Sequence, residues 1–286
     1  MPYKVFKYKV LDKLEKYKEN VLGIKENGIF LYKGEDKSKG HILPICQGES
    51  KKSMAKKYNV LSCLKDEEFL INEKDLHRYA HHLNSSQLMC YNYFRPLIDE
   101  KGHASEKLIS ILKAMGINIE SSCNSQCVFE YEQNSGGWET EGRKTNFDFY
   151  VKSKETEVFF EIKYTEQGFG KAKKDKAHKD KYDNFYKAKI SECHAIAPSI
   201  NKFDDYFINN YQLIRNVIRI TDKNKYVVFI YDDNNEIVNS QLNEFIKTNI
   251  VQLKENIICV TWQKMVEELE PEHQNQFKEK YLSYNQ

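Results

Sequence analysis

Residues 146–164 read NFDFYVKSKETEVFFEIKY, and the fold turns on how this stretch alternates. Phe147, Phe149 and Val151 alternate with polar residues, and after a charged link Val158, Phe160, Ile162 and Tyr164 alternate again. Period two marks half-buried strands, so two such runs joined by a short polar link predict a β-hairpin. Aligning the apolar faces sets Phe149 opposite Phe160 and Phe147 opposite Ile162, which puts Asp148 directly across from Glu161. Like charges so placed repel, and a divalent metal is the natural compensation. Lys163, two residues beyond Glu161, projects from the same face of its strand and brings an ammonium beside the carboxylates. A surface hairpin with an ordinary ion pair is the competing reading of the same residues.

With Asp148 in the first motif position and Glu161-Ile162-Lys163 as the second half, the stretch resembles the PD-(D/E)XK nuclease superfamily. Asn146-Phe147 stand where the nominal Pro would precede the acid. The resemblance covers about residues 102–268. It implies an α/β fold: a restriction-endonuclease-like core with a central mixed β-sheet flanked by helices, in αβββαβ order, behind an N-terminal α+β extension. It implies Asp148, Glu161, Lys163 and Gln212 as catalytic residues. Asp148, Glu161, the backbone carbonyl of Ile162 and Glu106 are its implied metal ligands, for Mg²⁺ with Mn²⁺ able to substitute. Glu106 has an equal competing role as a first-turn glutamate that favours the helix dipole.

The remaining elements agree with that order. Leu108, Ile109, Leu112 and Met115 make an apolar stripe on a helix over 102–116, and CVFEYE at 127–132 reads as a first strand, followed by a loop containing GGW and EGRK. Beyond the hairpin, Lys171, Lys173 and Lys174 open a glycine-flanked tract of six lysines, KAKKDKAHKDK, which reads as a mobile, phosphate-contacting loop; a merely solvated charge run is the commoner explanation. Phe203 to Ile220 reads as one helix on which Gln212, Arg215, Asn216 and Arg219 share a polar face. Gln212 and Arg215 are the candidates for facing the site. YVVFIY at 226–231 and residues 257–262 read as buried strands, with helices at 241–248 and 263–269.

The chain is expected to divide into a basic N-terminal region, 1–97, and a catalytic domain, 98–286. Residues 1–60 carry 14 Lys and 7 acids against a net +2 for all 286 residues, and their Lys residues interleave with Tyr3, Phe6, Tyr8 and Tyr17. That combination suits a nucleic-acid backbone, or simply a solvated face. A helix is expected over 73–97, placing His77 and His81 on one face; Asn84-Ser85-Ser86-Gln87, followed by Asn92 and Phe94, resembles a segment that precedes the core in one subgroup of the superfamily, and helix-capping or turn roles for Ser85 and Ser86 are the alternative. Seven scattered cysteines, no signal peptide and no long apolar run predict a reduced, cytoplasmic protein without a membrane span; Cys123 and Cys127 lack the second pair a zinc finger needs.

The expected function is a Mg²⁺-dependent DNA endonuclease. No GxxxxGK[ST] motif accompanies the site, so cutting should not need ATP bound by this chain. Restriction, DNA repair and junction processing all fit a self-contained nuclease, and the fold's habit of dimerising to cut two strands leaves room for a homodimer. A nucleic-acid-binding module that keeps the fold without cutting, and a regulatory domain with structural acids, are the alternatives from other classes.

Overall fold

The computed structural model describes residues 1–45, 48–119, 125–132 and 146–285. Residues 1–98, 232–235 and 261–286 form one compact unit, and residues 99–231 and 236–260 form a second. The loop carrying GGW and EGRK, and Cys123, lie outside the described residues. Among the described residues no helix is long and apolar enough to cross a membrane.

The first unit begins with α1 (Tyr3–Asn20), strands β1 (Gly28–Tyr32) and β2 (Glu35–Lys39), α2 (Lys51–Met54) and α3 (Ser86–Phe94). In α1, Tyr3, Phe6, Val10, Leu14 and Tyr17 recur at three- and four-residue spacing and are all buried. Of the four aromatics that alternate with lysines there, only Tyr8 is exposed, so the other three serve the core. The helix expected over 73–97 forms only as α3. The hydroxyl of Ser85 accepts the Leu88 N–H and starts the helix there, which is the capping role. Upstream, Gln87 accepts the His77 N–H (2.8 Å) and donates to the Asp75 carbonyl (2.9 Å), holding residues 75–77 in turns. His77 is exposed and His81 buried, and no helix face carries them together.

The second unit holds the larger sheet. After α4 (Glu106–Ala114), strands β3 (Ser125–Glu132), β4 (Asn146–Ser153) and β5 (Thr156–Ile162) form an antiparallel meander. Short helices α5 (Lys176–Lys181), α6 (Lys187–Glu192), α7 (Asp205–Asn209) and α8 (Tyr211–Val217) lead to β6 (Lys225–Tyr231), parallel to β5. Helix α9 (Glu236–Asn249) then connects to β7 (Ile257–Thr261), giving the strand order β3-β4-β5-β6-β7. This is the mixed five-stranded α/β sheet of a restriction-endonuclease-like fold, in the expected element order. In the first unit, α10 (Trp262–Met265) continues as a 3₁₀ turn over Val266–Glu268, and α11 (Pro271–Phe277) adds a helix that the sequence reading lacks.

The β4–β5 ladder sets Phe149 opposite Phe160, as expected, and continues to Ser153 opposite Thr156; it does not extend to the expected pairs Phe147–Ile162 and Asp148–Glu161, where the Ile162 N–H is bonded to the Asp148 side chain instead. Rings of Phe129, Phe149 and Phe160 lie side by side across three strands, at centroid separations of 5.1 and 5.4 Å. Phe147, Tyr150 and Phe159 instead share a core with Leu213, Ile214 and Val217 of α8, which lays α8 on the sheet near the end of β5.

Two expectations need correction. The helix over 203–220 is broken: Asn210 directs both its backbone N–H and its side-chain amide to the Tyr206 carbonyl, at 3.0 and 3.1 Å, and its ψ of 18° separates α7 from α8. A side chain that bonds the preceding turn competes with helix continuation. Strand β7 is not a buried strand. It stands at the sheet's edge, and Ile257 is its one buried residue.

Candidate active site

Asp148 lies near the start of β4, and Glu161 and Ile162 end β5, so the hairpin register brings them together at one end of the sheet. The Asp148 carboxylate accepts the Ile162 N–H at 2.7 Å, taking a donor that a longer ladder would have used. Lys163 follows at once; its N–H donates to the Ile230 carbonyl on β6, which fixes the backbone from which its side chain departs. The Lys163 ammonium donates to Glu161 Oε1 at 2.7 Å and to Gln212 Oε1 at 3.2 Å. Glu161 is 4% and Lys163 7% exposed, so this ion pair is largely removed from water.

Glu161 is bonded on both oxygens. Gln212 Nε2 donates to Oε1 at 2.7 Å and Asn216 Nδ2 to Oε2 at 3.0 Å. Gln212 and Asn216 are one turn apart on α8, which is why both reach the same carboxylate. Asn216 is a site residue that the sequence reading left on the polar face without a role; its i, i+4 spacing from Gln212 was the available signal.

A third carboxylate stands on the other side of Asp148. Glu130 falls between the register pairs Phe129–Phe149 and Tyr131–Phe147, which puts it abreast of Asp148, and its φ of 51° is left-handed. Few non-glycine residues adopt that conformation, and it costs about 1 kcal/mol or more. Nothing in the sequence signals it. Burial, then Glu161, then Glu130 drive the Asp148 pKa well above the ordinary carboxylate value; Lys163 and the Ile162 N–H oppose the shift. Burial alone would lower the Lys163 pKa, but Glu161, Glu166 and Asp148 outweigh it and hold the pKa above its ordinary value. Lys163 is therefore an ammonium at neutral pH.

Residues 168–172 close over this group and are anchored. The Gly168 φ of +89° suits glycine, and an added Cβ would meet Gln241 Oε1 at 2.7 Å. Phe169 N–H donates to Gln241 Oε1 (2.9 Å), and its ring lies 5.2 Å from the Lys163 ammonium. Gly170 exchanges bonds with Gln212, its N–H donating to Oε1 (2.7 Å) and its carbonyl accepting the Gln212 N–H (3.0 Å), while Ala172 N–H donates to the Ile208 carbonyl (3.0 Å). Residues 169, 170 and 172 are thus each tied by a backbone hydrogen bond, and the later part of the lysine tract is helix α5, capped by Asp175. Lys171, Lys173 and Lys174 are exposed, and Lys174 pairs with Asp205 at 3.0 Å.

Two implied residues are not gathered with the rest. Arg215 is half-buried, its guanidinium 5.1 Å from the Tyr211 ring centroid. Glu106 is exposed in the first turn of α4. That helix is tied to the sheet on either side, by Ala104 N–H to Ser125 Oγ (2.7 Å) and Thr156 Oγ1 to the Asn118 carbonyl (3.2 Å). Ser125 and Thr156 both pair with Ser153, five residues and about 16 Å along β4 from Asp148. The helix-dipole role is what remains for Glu106.

A family model described as restriction endonuclease associating with ARP matches residues 14–282. The chain belongs to this family. The match takes in most of the first unit, from residue 14, as well as the hairpin. No curated protein and no solved structure matches the chain.

The hydrolysis of phosphodiesters by this family's chemistry implies a divalent ion, for which Asp148 and Glu161 are the candidate donors. Among the described residues no group of three or more His, Cys, Asp or Glu side chains is arranged to hold a metal alone. Mg²⁺ does not ask for that, since it is held by one or two carboxylates and keeps several waters. Asp148 and Glu161 are hard oxygen donors; Glu161 Oε2 receives a single hydrogen bond and keeps a lone pair. The crowding of carboxylates that raises Asp148 is what a cation would relieve, so the residues fit the ion.

Proposed function

We propose that this protein is a Mg²⁺-dependent DNA endonuclease that hydrolyses phosphodiester bonds. The observation that carries the reading is the convergence of Asp148, Glu161 and the Lys163 ammonium at the end of one hairpin, with Lys163 Nζ 2.7 Å from Glu161 Oε1. Asp148, Glu161 and the carbonyl of Ile162 would hold the ion, which supplies Lewis acidity and acidifies bound water.

The chain's own residues do the rest. Lys163, paired with Glu161, is placed to orient the attacking water and to offset the negative charge that grows on the phosphorus oxygens. The Phe169 ring and the burial of Glu161 and Lys163 keep bulk water from screening that charge. Gln212 ties the carboxylate to the 168–172 segment, and the exposed Lys171 and Lys173 continue from it as phosphate contacts. The family's description names an association with ARP, and a partner of that kind is proposed for this chain too.

The test is incubation of the purified protein with supercoiled and linear DNA, with Mg²⁺ and with a chelator. The reading expects nicked or linear product only with the metal, and end mapping would show whether cutting is site-specific. DNA that stays intact in Mg²⁺ and in Mn²⁺, with the partner present as well as absent, removes it.

A further inference from the structure

We infer that Asn216 is a positioning residue for the metal-binding carboxylate of Glu161, acting with an amide whose orientation Gly170 fixes. The inference rests on the reading of the site given above. A backbone N–H can only donate and an ammonium can only donate, so the Gln212 atom that meets both Gly170 N (2.7 Å) and Lys163 Nζ (3.2 Å) must be its carbonyl oxygen. The amide nitrogen is thereby turned to Glu161 Oε1. Gln212 thus has one permitted flip, and Gly170 and Lys163 choose it.

Gln212 and Lys163 both act on Oε1, which leaves the rotation of the carboxylate about its last bond to be set at Oε2. Asn216 is the single donor there, at 3.0 Å, and is itself 1% exposed. It sits in α8 between Leu213, Ile214 and Val217, all buried in the core that the helix shares with Phe147, Tyr150 and Phe159, so it cannot drift with solvent. Two donors on one oxygen and one on the other define the carboxylate plane, and a lone pair of Oε2 stays directed by the Asn216 bond. Groups that orient a metal ligand commonly change metal affinity about 10- to 100-fold when removed.

The experiment is Mn²⁺ binding to the full chain without DNA, by electron paramagnetic resonance of the free ion, comparing wild type with Asn216→Leu and Asn216→Ser. Folding is checked by circular dichroism and thermal melting. The leucine keeps the volume and removes the donor; it should weaken Mn²⁺ about tenfold or more. The serine keeps a hydroxyl on a shorter arm and should fall between, and it remains informative if the leucine variant does not fold. In DNA cleavage, raising Mn²⁺ should bring both variants back toward the wild-type rate, which loss of packing alone would not do. Folded variants whose Mn²⁺ affinity lies within about twofold of wild type overturn the inference while leaving the nuclease reading intact. A wild type that binds no Mn²⁺ overturns both.

Discussion

Lys163 and Lys280 are both buried, and the molecule treats them in opposite ways. Lys163, 7% exposed in the second unit, donates to Glu161, has Asp148 and Glu166 nearby, and its pKa is raised. Lys280, 0% exposed in the first unit, donates to the backbone carbonyl and the side-chain oxygen of Asn59 and lies over the rings of Tyr17 and Tyr281. No carboxylate offsets its burial, and its pKa falls well below the ordinary 10.5. Dipoles and rings satisfy the donors of a buried amine without compensating its charge; carboxylates do both. A lysine held charged in a half-dry site is suited to stabilising developing negative charge, whereas the Lys280 arrangement is a packing solution that ties α11's continuation to Asn59.

The largest effect expected from breaking this contrast is on catalysis. Lys163→Met should slow DNA cleavage by about 10²-fold or more, the usual loss when one preorganised electrostatic group is removed, measured in single-turnover assays. Lys280→Met should leave cleavage within a few-fold of wild type.

Stability sharpens the comparison next. Lys163→Met leaves Glu161 buried without its cation and should destabilise the fold by about 3 kcal/mol, read by chemical denaturation. The pH dependence separates the two lysines by sign. Lys163, with a raised folded pKa, gives stability that is fully present below 10.5 and lost as pH rises through the higher folded value. Lys280, with a depressed one, gives stability that is present above 10.5 and lost as pH falls through its folded value. Unfolding free energy should therefore climb between the folded Lys280 value and 10.5, and Lys280→Met should flatten that climb while Lys163→Met does not.

A smaller effect belongs to Asp148. Its folded pKa is raised, so its contribution to stability is present at acid pH and lost as pH rises through the folded value; above that value the ionised group costs stability in the metal-free protein. Asp148→Asn should then raise the melting temperature of the metal-free protein by a few degrees, on the order of 1 kcal/mol, while abolishing cleavage. The smallest expected change is at the exposed lysines: Lys173→Ala should lower the slope of log affinity for DNA against log salt by about one, without altering sequence preference.

The contrast also explains what could be read in advance. The hairpin was legible because Phe149, Phe160, Val151 and Val158 allow one register, and that register carries Asp148, Glu161 and Lys163 with it. Strand β6 was legible for a similar reason, an unbroken apolar run. Side-chain bonds to backbone were not legible. Ser85 and Gln87 cut short the helix expected over 73–97, and Asn210 splits the one expected over 203–220. Periodicity reports which face is apolar and says nothing about a polar side chain that bonds its own backbone. Asn216 and Glu130 escaped because their roles depend on what stands opposite, and Lys280 because no local pattern marks a buried cation. Glu106 was misplaced for the converse reason: a helix known by its stripe has no known place along the sheet until its end contacts at Ser125 and Thr156 are seen.

The most direct test of the central claim is Mg²⁺-dependent cleavage of supercoiled DNA by wild type, Lys163→Met, Asp148→Ala and Lys280→Met, each first shown to be folded. The account predicts nicked or linear product from wild type and Lys280→Met, and cleavage slower by about 10²-fold or more from the two site variants. Cleavage by Lys163→Met or Asp148→Ala at the wild-type rate would contradict it, because the hairpin end would then not be where the phosphodiester is cut.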